Sequence, residues 1–109
     1  MKYLGKRYLH NFLKVNGFAP PALKNMEYGK RGCDEWLRCD SIDVFYTFRK
    51  IITVSIFKHD KKDGETYETE RYAYSLTGSV WKKVSERKGL KIKLPKQLAF
   101  DLDKAGGVI

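Results

Sequence analysis

From Val44 to Leu76 the chain places apolar or aromatic residues at every second position over long stretches, and a period of two restricts such segments to half-buried strands. Val44, Tyr46 and Phe48 alternate with Phe45, Thr47 and Arg49. Ile52, Val54 and Ile56 alternate with Thr53, Ser55 and Phe57. The polar run from His59 to Gly64 reads as a turn, with glycine where a positive φ is needed. Beyond it, Thr66, Glu68, Glu70, Tyr72 and Tyr74 share one face, while Tyr67, Thr69, Arg71, Ala73 and Ser75 share the other. The composition turns β-branched and aromatic from Glu35 onward, so residues 35–76 are expected to hold at least three antiparallel strands, broken near Arg49-Lys50.

The flanks read differently. Tyr3, Leu4, Tyr8, Leu9, Phe12 and Leu13 recur at helical spacing among Lys2, Lys6, Arg7, His10 and Lys14, predicting an amphipathic helix over 3–15 that stops at Asn16-Gly17. Pro20-Pro21 forms a rigid connector, and residues 22–34, with Asn25, Gly29 and Gly32, read as a loop with room for a short helical turn. Thr77 can cap a helix over 78–88 whose apolar stripe is Val80, Trp81 and Val84. Leu90, Ile92 and Leu94 alternate with Lys91 and Lys93, giving a strand over 90–94. After Pro95, Leu98 and Leu102 suit a helix over 95–105, although Leu98, Phe100 and Leu102 also suit a strand. The expected fold is α+β: one small domain spanning 1–109, an antiparallel sheet with an N-terminal helix and one or two C-terminal helices packed on it.

With 109 residues, 42% of them hydrophobic, the chain can bury a core of its own. Its unbroken apolar runs stop at two or three residues, which leaves neither a transmembrane span nor a secretory core segment, and the expected location is cytoplasmic. Cys33 and Cys39 are too few for a disulfide framework and read as reduced thiols.

Charge carries the functional signal. The net charge of +9 is concentrated at the two ends, because residues 32–76 hold seven cations against nine acids. Between Trp81 and Lys96, seven cations stand against the single acid Glu86. Such a cluster attracts polyanions without naming one.

Catalytic and metal chemistry find less support. His10 and His59 would have to converge to act as an acid–base pair in RNA cleavage, and spacing does not bring them together. Most of the acids between Asp34 and Glu70 alternate along strands facing solvent, without a nuclease signature. Two cysteines with five residues between them, and no second close pair of cysteines or histidines, do not make a zinc site. No phosphate-cradling glycine motif is present, and Gly29-Lys30-Arg31-Gly32 has neither spacing. No catalytic residue, metal ligand or cofactor is therefore assigned.

The leading expectation is a non-enzymatic nucleic-acid-binding protein that contacts backbone phosphates through Lys82, Lys83, Arg87, Lys88, Lys91 and Lys93, supported by Lys2, Lys6 and Arg7, with DNA ahead of RNA. A protein-interaction module docking on an acidic partner, such as an inhibitor or accessory factor of a nucleic-acid enzyme, is the alternative. A ribonuclease toxin is the third reading. A membrane-surface role for the N-terminal helix ranks below these, since core packing explains the same apolar stripe.

Overall fold

The computed structural model describes residues 2–94. A helix, α1 (Lys6–Val15), and a short 3-10 turn (Leu23–Asn25) precede seven strands: β1 (Glu27–Arg31), β2 (Asp34–Cys39), β3 (Ile42–Thr47), β4 (Ile51–Asp60), β5 (Glu65–Thr77), β6 (Val80–Arg87) and β7 (Ile92–Leu94). The strands form one antiparallel meander in the order β1-β2-β3-β4-β5-β6, and β7 also pairs with β5. Because β5 has 13 residues, its far edge accommodates both β6, opposite Arg71 to Thr77, and β7, opposite Thr66 to Glu68.

Period two decides which face is covered. Leu37 and Cys39 on β2, Val44 and Tyr46 on β3, Ile52 and Val54 on β4, and Tyr72 and Tyr74 on β5 are buried together with Leu9, Phe12 and Leu13 of α1. Phe12 meets Tyr74 edge-on at 4.9 Å and Trp81 at 5.9 Å, while Phe18 covers Tyr72 at 5.3 Å. These offset ring contacts fix where α1 and its following segment sit on the sheet. The helix stops as its sequence predicts: Gly17 takes φ 87°, and the Phe18 amide donates back to the Leu13 carbonyl at 2.9 Å.

The helix start is held by a distant strand. Gly5 occupies the N-cap without a side-chain cap, and the fully buried Glu35 carboxylate accepts the Leu4 and Gly5 amides at 2.6 and 2.8 Å. Tyr28 donates its hydroxyl to the same carboxylate. Burial, with Glu35 second, drives the Tyr28 phenol far above its usual pKa.

Three expectations require correction. The expected helix over 78–88 is instead a turn followed by the strand β6 (Val80–Arg87), so the described chain is dominated by its sheet and carries a single short N-terminal helix, with no C-terminal helix. Thr77 ends β5 instead of capping a helix, and Gly78, at φ 65°, turns the chain. The physical reason is a bulge: Ala73 pairs with Ser85 and Tyr74 with Lys83, leaving Val84 as an extra residue that resets the alternation. The result imitates helical spacing between Trp81 and Val84. An edge strand with both sides in solvent also needs no apolar alternation, and β6 is exposed except at Trp81. The second correction is β1, read from the sequence as loop. Gly29 there is required by packing, since a Cβ would fall 2.2 Å from the Trp36 ring. Third, the bulge at Thr69 places Glu68 and Glu70 on opposite faces, so Glu68 bonds Arg71 at 2.6 Å. The helix expected over 95–105 lies outside the described residues.

Candidate nucleic-acid interface

Strands β4 and β5 run past the area that α1 covers and end in a hairpin at the tip of the sheet. Aspartates shape that hairpin: Asp60 Oδ1 accepts the Lys62 amide at 2.8 Å, and Asp63 Oδ1 accepts the Glu65 amide at 2.9 Å. Gly64, at φ 72°, closes the turn. Across β5, Gly89 at φ 69° breaks the edge between β6 and β7, and the Leu90 amide reaches the Thr69 carbonyl at 3.0 Å. The hairpin and this crossing segment become the two walls of a groove of about 890 Å³.

Lys58, Lys61 and Lys62 line the groove from the hairpin, and Lys88 and Lys91 line it from the crossing segment. Tyr67 lies between them on β5, in register with Lys58 on one side and Lys93 on the other, so its half-buried ring forms floor. Lys91 Nζ stands 5.1 Å from the Tyr67 ring centre. The Tyr67 hydroxyl donates to Asp63 Oδ2 at 2.5 Å. That bond pushes the phenol up to about 12 and holds the Asp63 carboxyl below its usual range.

The acids lining the groove accept hydrogen bonds from neutral donors and keep their charge. Asp60 caps the turn, and Glu70 accepts the Tyr72 hydroxyl. Among the described residues, none of the five groove lysines forms an ion pair. Five ammonium groups against the Asp60 and Glu70 carboxylates leave the lining net positive, although Lys91 also acts on Asp63 and Lys88 on Glu86.

The residues singled out from sequence scatter around this site. Lys88 and Lys91 enter it. Lys82 and Arg87 are exposed along β6, Lys83 is paired with Glu86 at 2.6 Å, and Lys93 lies 3.6 Å from Glu65. Lys2, Lys6 and Arg7 lie elsewhere. Tyr3 bonds the Gly32 carbonyl at the β1–β2 turn, on the opposite edge of the sheet, which carries Lys2 there, while Lys6 and Arg7 follow the Gly5 amide held by Glu35. The Trp81 indole on β6 donates to the Tyr8 hydroxyl at 3.0 Å, which brings the first turn of α1 towards the β6 edge, but none of Lys2, Lys6 and Arg7 lines the groove. Sequence reasoning missed Lys58, Lys61, Lys62 and Tyr67, because they belong to the stretch in which acids outnumber cations. The available signal was the lysine-rich turn between two long strands.

Other candidates stay apart. His10 Nε2 is 3.0 Å from the Pro21 carbonyl, whereas His59 Nδ1 is 3.3 Å from Thr66 Oγ1, and they line different cavities. Among the described residues, no three of His, Cys, Asp and Glu gather as metal ligands. Cys33 is exposed and Cys39 buried, both as free thiols. On the face of the sheet away from α1, Trp36, Phe45 and Phe57 surround a shallow cavity of about 240 Å³ with Arg31, Arg38 and Asp43. Its charges largely cancel, since Arg38 meets Asp43 at 3.4 Å and Arg71 meets Glu68 at 2.6 Å. Arg31 there has no ion pair among the described residues, so the difference is one of degree: the groove gathers five lysines against two acids.

Among the described residues no helix is long and apolar enough to cross a membrane. No family model matches the chain, and no curated protein or solved structure shows detectable similarity to it. The chemistry of the groove must therefore carry the functional reading.

Proposed function

We propose that this is a non-enzymatic nucleic-acid-binding protein whose groove at the sheet tip holds backbone phosphates. One observation supports the reading: lysines from two segments 26 or more residues apart, Lys58 to Lys62 and Lys88 to Lys91, converge on one concavity in which five lysines outnumber the two acids Asp60 and Glu70. Lysine is a point charge suited to phosphate without base preference. Lys82 and Arg87 continue the cationic track along the sheet edge, Lys83 and Lys93 contribute less because Glu86 and Glu65 face them, and Lys2, Lys6 and Arg7 add to the long-range potential. DNA ranks ahead of RNA as the ligand to try first. The reading places the protein in the cytoplasm, where two unpaired thiols would stay reduced.

The test is fluorescence anisotropy of labelled oligonucleotides across a salt series, with the wild type and a variant carrying Lys61→Gln, Lys62→Gln, Lys88→Gln and Lys91→Gln. Each engaged lysine contributes about 0.7 to 0.9 to the slope of log affinity against log salt, so the variant should lose roughly 3. An unchanged slope would sink the assignment. Retention of one protein partner after nuclease treatment, with no oligonucleotide bound, would favour an acidic protein in the same groove.

A further inference from the structure

We infer that the groove takes a single-stranded segment and lays one unpaired base on the ring of Tyr67. The inference rests on the phosphate-binding reading and adds to it the form of the ligand. Tyr67 stands on the middle strand of the three that build the tip, with Lys58, Lys61 and Lys62 to one side and Lys88 and Lys91 to the other. A chain passing between those walls has cations available to its phosphates on both sides and a single aromatic surface beneath it. In a duplex the base faces are stacked on one another and cannot reach a ring on the floor of a concavity. An unpaired base can.

The ring is prepared for such a contact. Its hydroxyl is tied to Asp63 at 2.5 Å, which restrains ring rotation about the strand. The group over its face is Lys91, at 5.1 Å, on a flexible stem. An exposed cation–ring contact is weaker than stacking of a base on the same ring, so an arriving base displaces the ammonium. The released Lys91 then has the adjacent phosphate as its partner, and the cation is conserved in the complex. No comparable arrangement occurs on the opposite face, where Arg38 over Trp36 is engaged with Asp43.

Single-stranded and duplex oligonucleotides of equal length, compared by anisotropy at one salt concentration, test this directly. Single strands should bind at least tenfold more tightly. Tyr67→Leu should weaken single-strand binding roughly tenfold while leaving the salt slope unchanged, and Tyr67→Phe should stay within about threefold of wild type. A single strand carrying 2-aminopurine should be quenched on binding the unaltered protein, which keeps the test open if Tyr67→Leu fails to fold. Preference for duplex, indifference to Tyr67→Leu, or unquenched 2-aminopurine would overturn base stacking. If the lysine variant still lost affinity in those cases, the phosphate-binding reading would survive alone. Absence of binding by any oligonucleotide at low salt would remove both.

Discussion

The same two strands, β4 and β5, build both the most buried and the most charged parts of this molecule. Under α1, one face of the pair presents Ile52, Val54, Tyr72 and Tyr74, all buried. Farther along, in the same alternation, β4 presents Lys58, and Tyr67 stands opposite it with no helix above. The helix has only 10 residues, about 15 Å of rise, and cannot cover the full length of β4 and β5. One sheet thereby supplies a covered core in one half and the groove proposed for binding in the other. Substitutions in the covered half should affect stability, and those at the tip should affect binding.

The largest effect is expected in the covered half. Leu13 is fully buried, and Leu13→Ala should lower unfolding free energy by about 3 to 4 kcal/mol in urea titrations. A loss below about 1 kcal/mol would break the comparison at its stronger end. Next comes Glu35→Ala, which strands the Leu4 and Gly5 amides and the Tyr28 hydroxyl and should remove about 2 to 3 kcal/mol. Hydrogen exchange should then show the start of α1 opening before the strands do. Gly29→Ala forces a Cβ against the Trp36 ring and should lower stability by about 1 to 2 kcal/mol, accompanied by a shift in tryptophan emission. At the tip, the fourfold lysine-to-glutamine variant should change stability by less than about 0.5 kcal/mol while reducing the salt slope of binding, because the substituted groups are exposed and unpaired.

Alkaline pH should also separate the halves. Burial pushes the Cys39 thiol up to about 11 from a usual 9.0, so the folded state holds the proton that the unfolded state releases. Stability from this group is therefore intact below about pH 9 and declines as pH rises from about 9 towards 11. The urea midpoint of Cys39→Ala should show a shallower decline over that range than wild type, whatever its starting value. An identical pH slope would reassign the alkaline loss to the tyrosines.

Some of this organisation is legible in the residues. The helix ending at Asn16-Gly17, the strands around Val44, Val54 and Tyr72, the turn before Gly64 and the strand at Ile92 follow from local periodicity and turn chemistry, each of which acts within a few residues. Lys88 and Lys91 were likewise visible as part of a basic cluster. β1 and β6 were not. Both are flanking strands defined by the hydrogen bonds of a neighbour, with glycine and Trp36 disguising one and the Val84 bulge disguising the other.

The groove lay beyond local reading for the same reason. Lys58, Lys61 and Lys62 look balanced when charge is counted along the chain, since Asp60, Asp63 and Glu65 follow closely. Folding shifts that balance by bringing Lys88 and Lys91 to the same concavity, so that five lysines meet Asp60 and Glu70 there, while Glu65 lies near Lys93. The sequence by itself determined the covered core and the overall positive charge, because periodicity and composition are local properties. Which lysines share a groove was settled by tertiary contacts, because the β5–β7 register and the Gly89 crossing bring residues about 30 positions apart to one place.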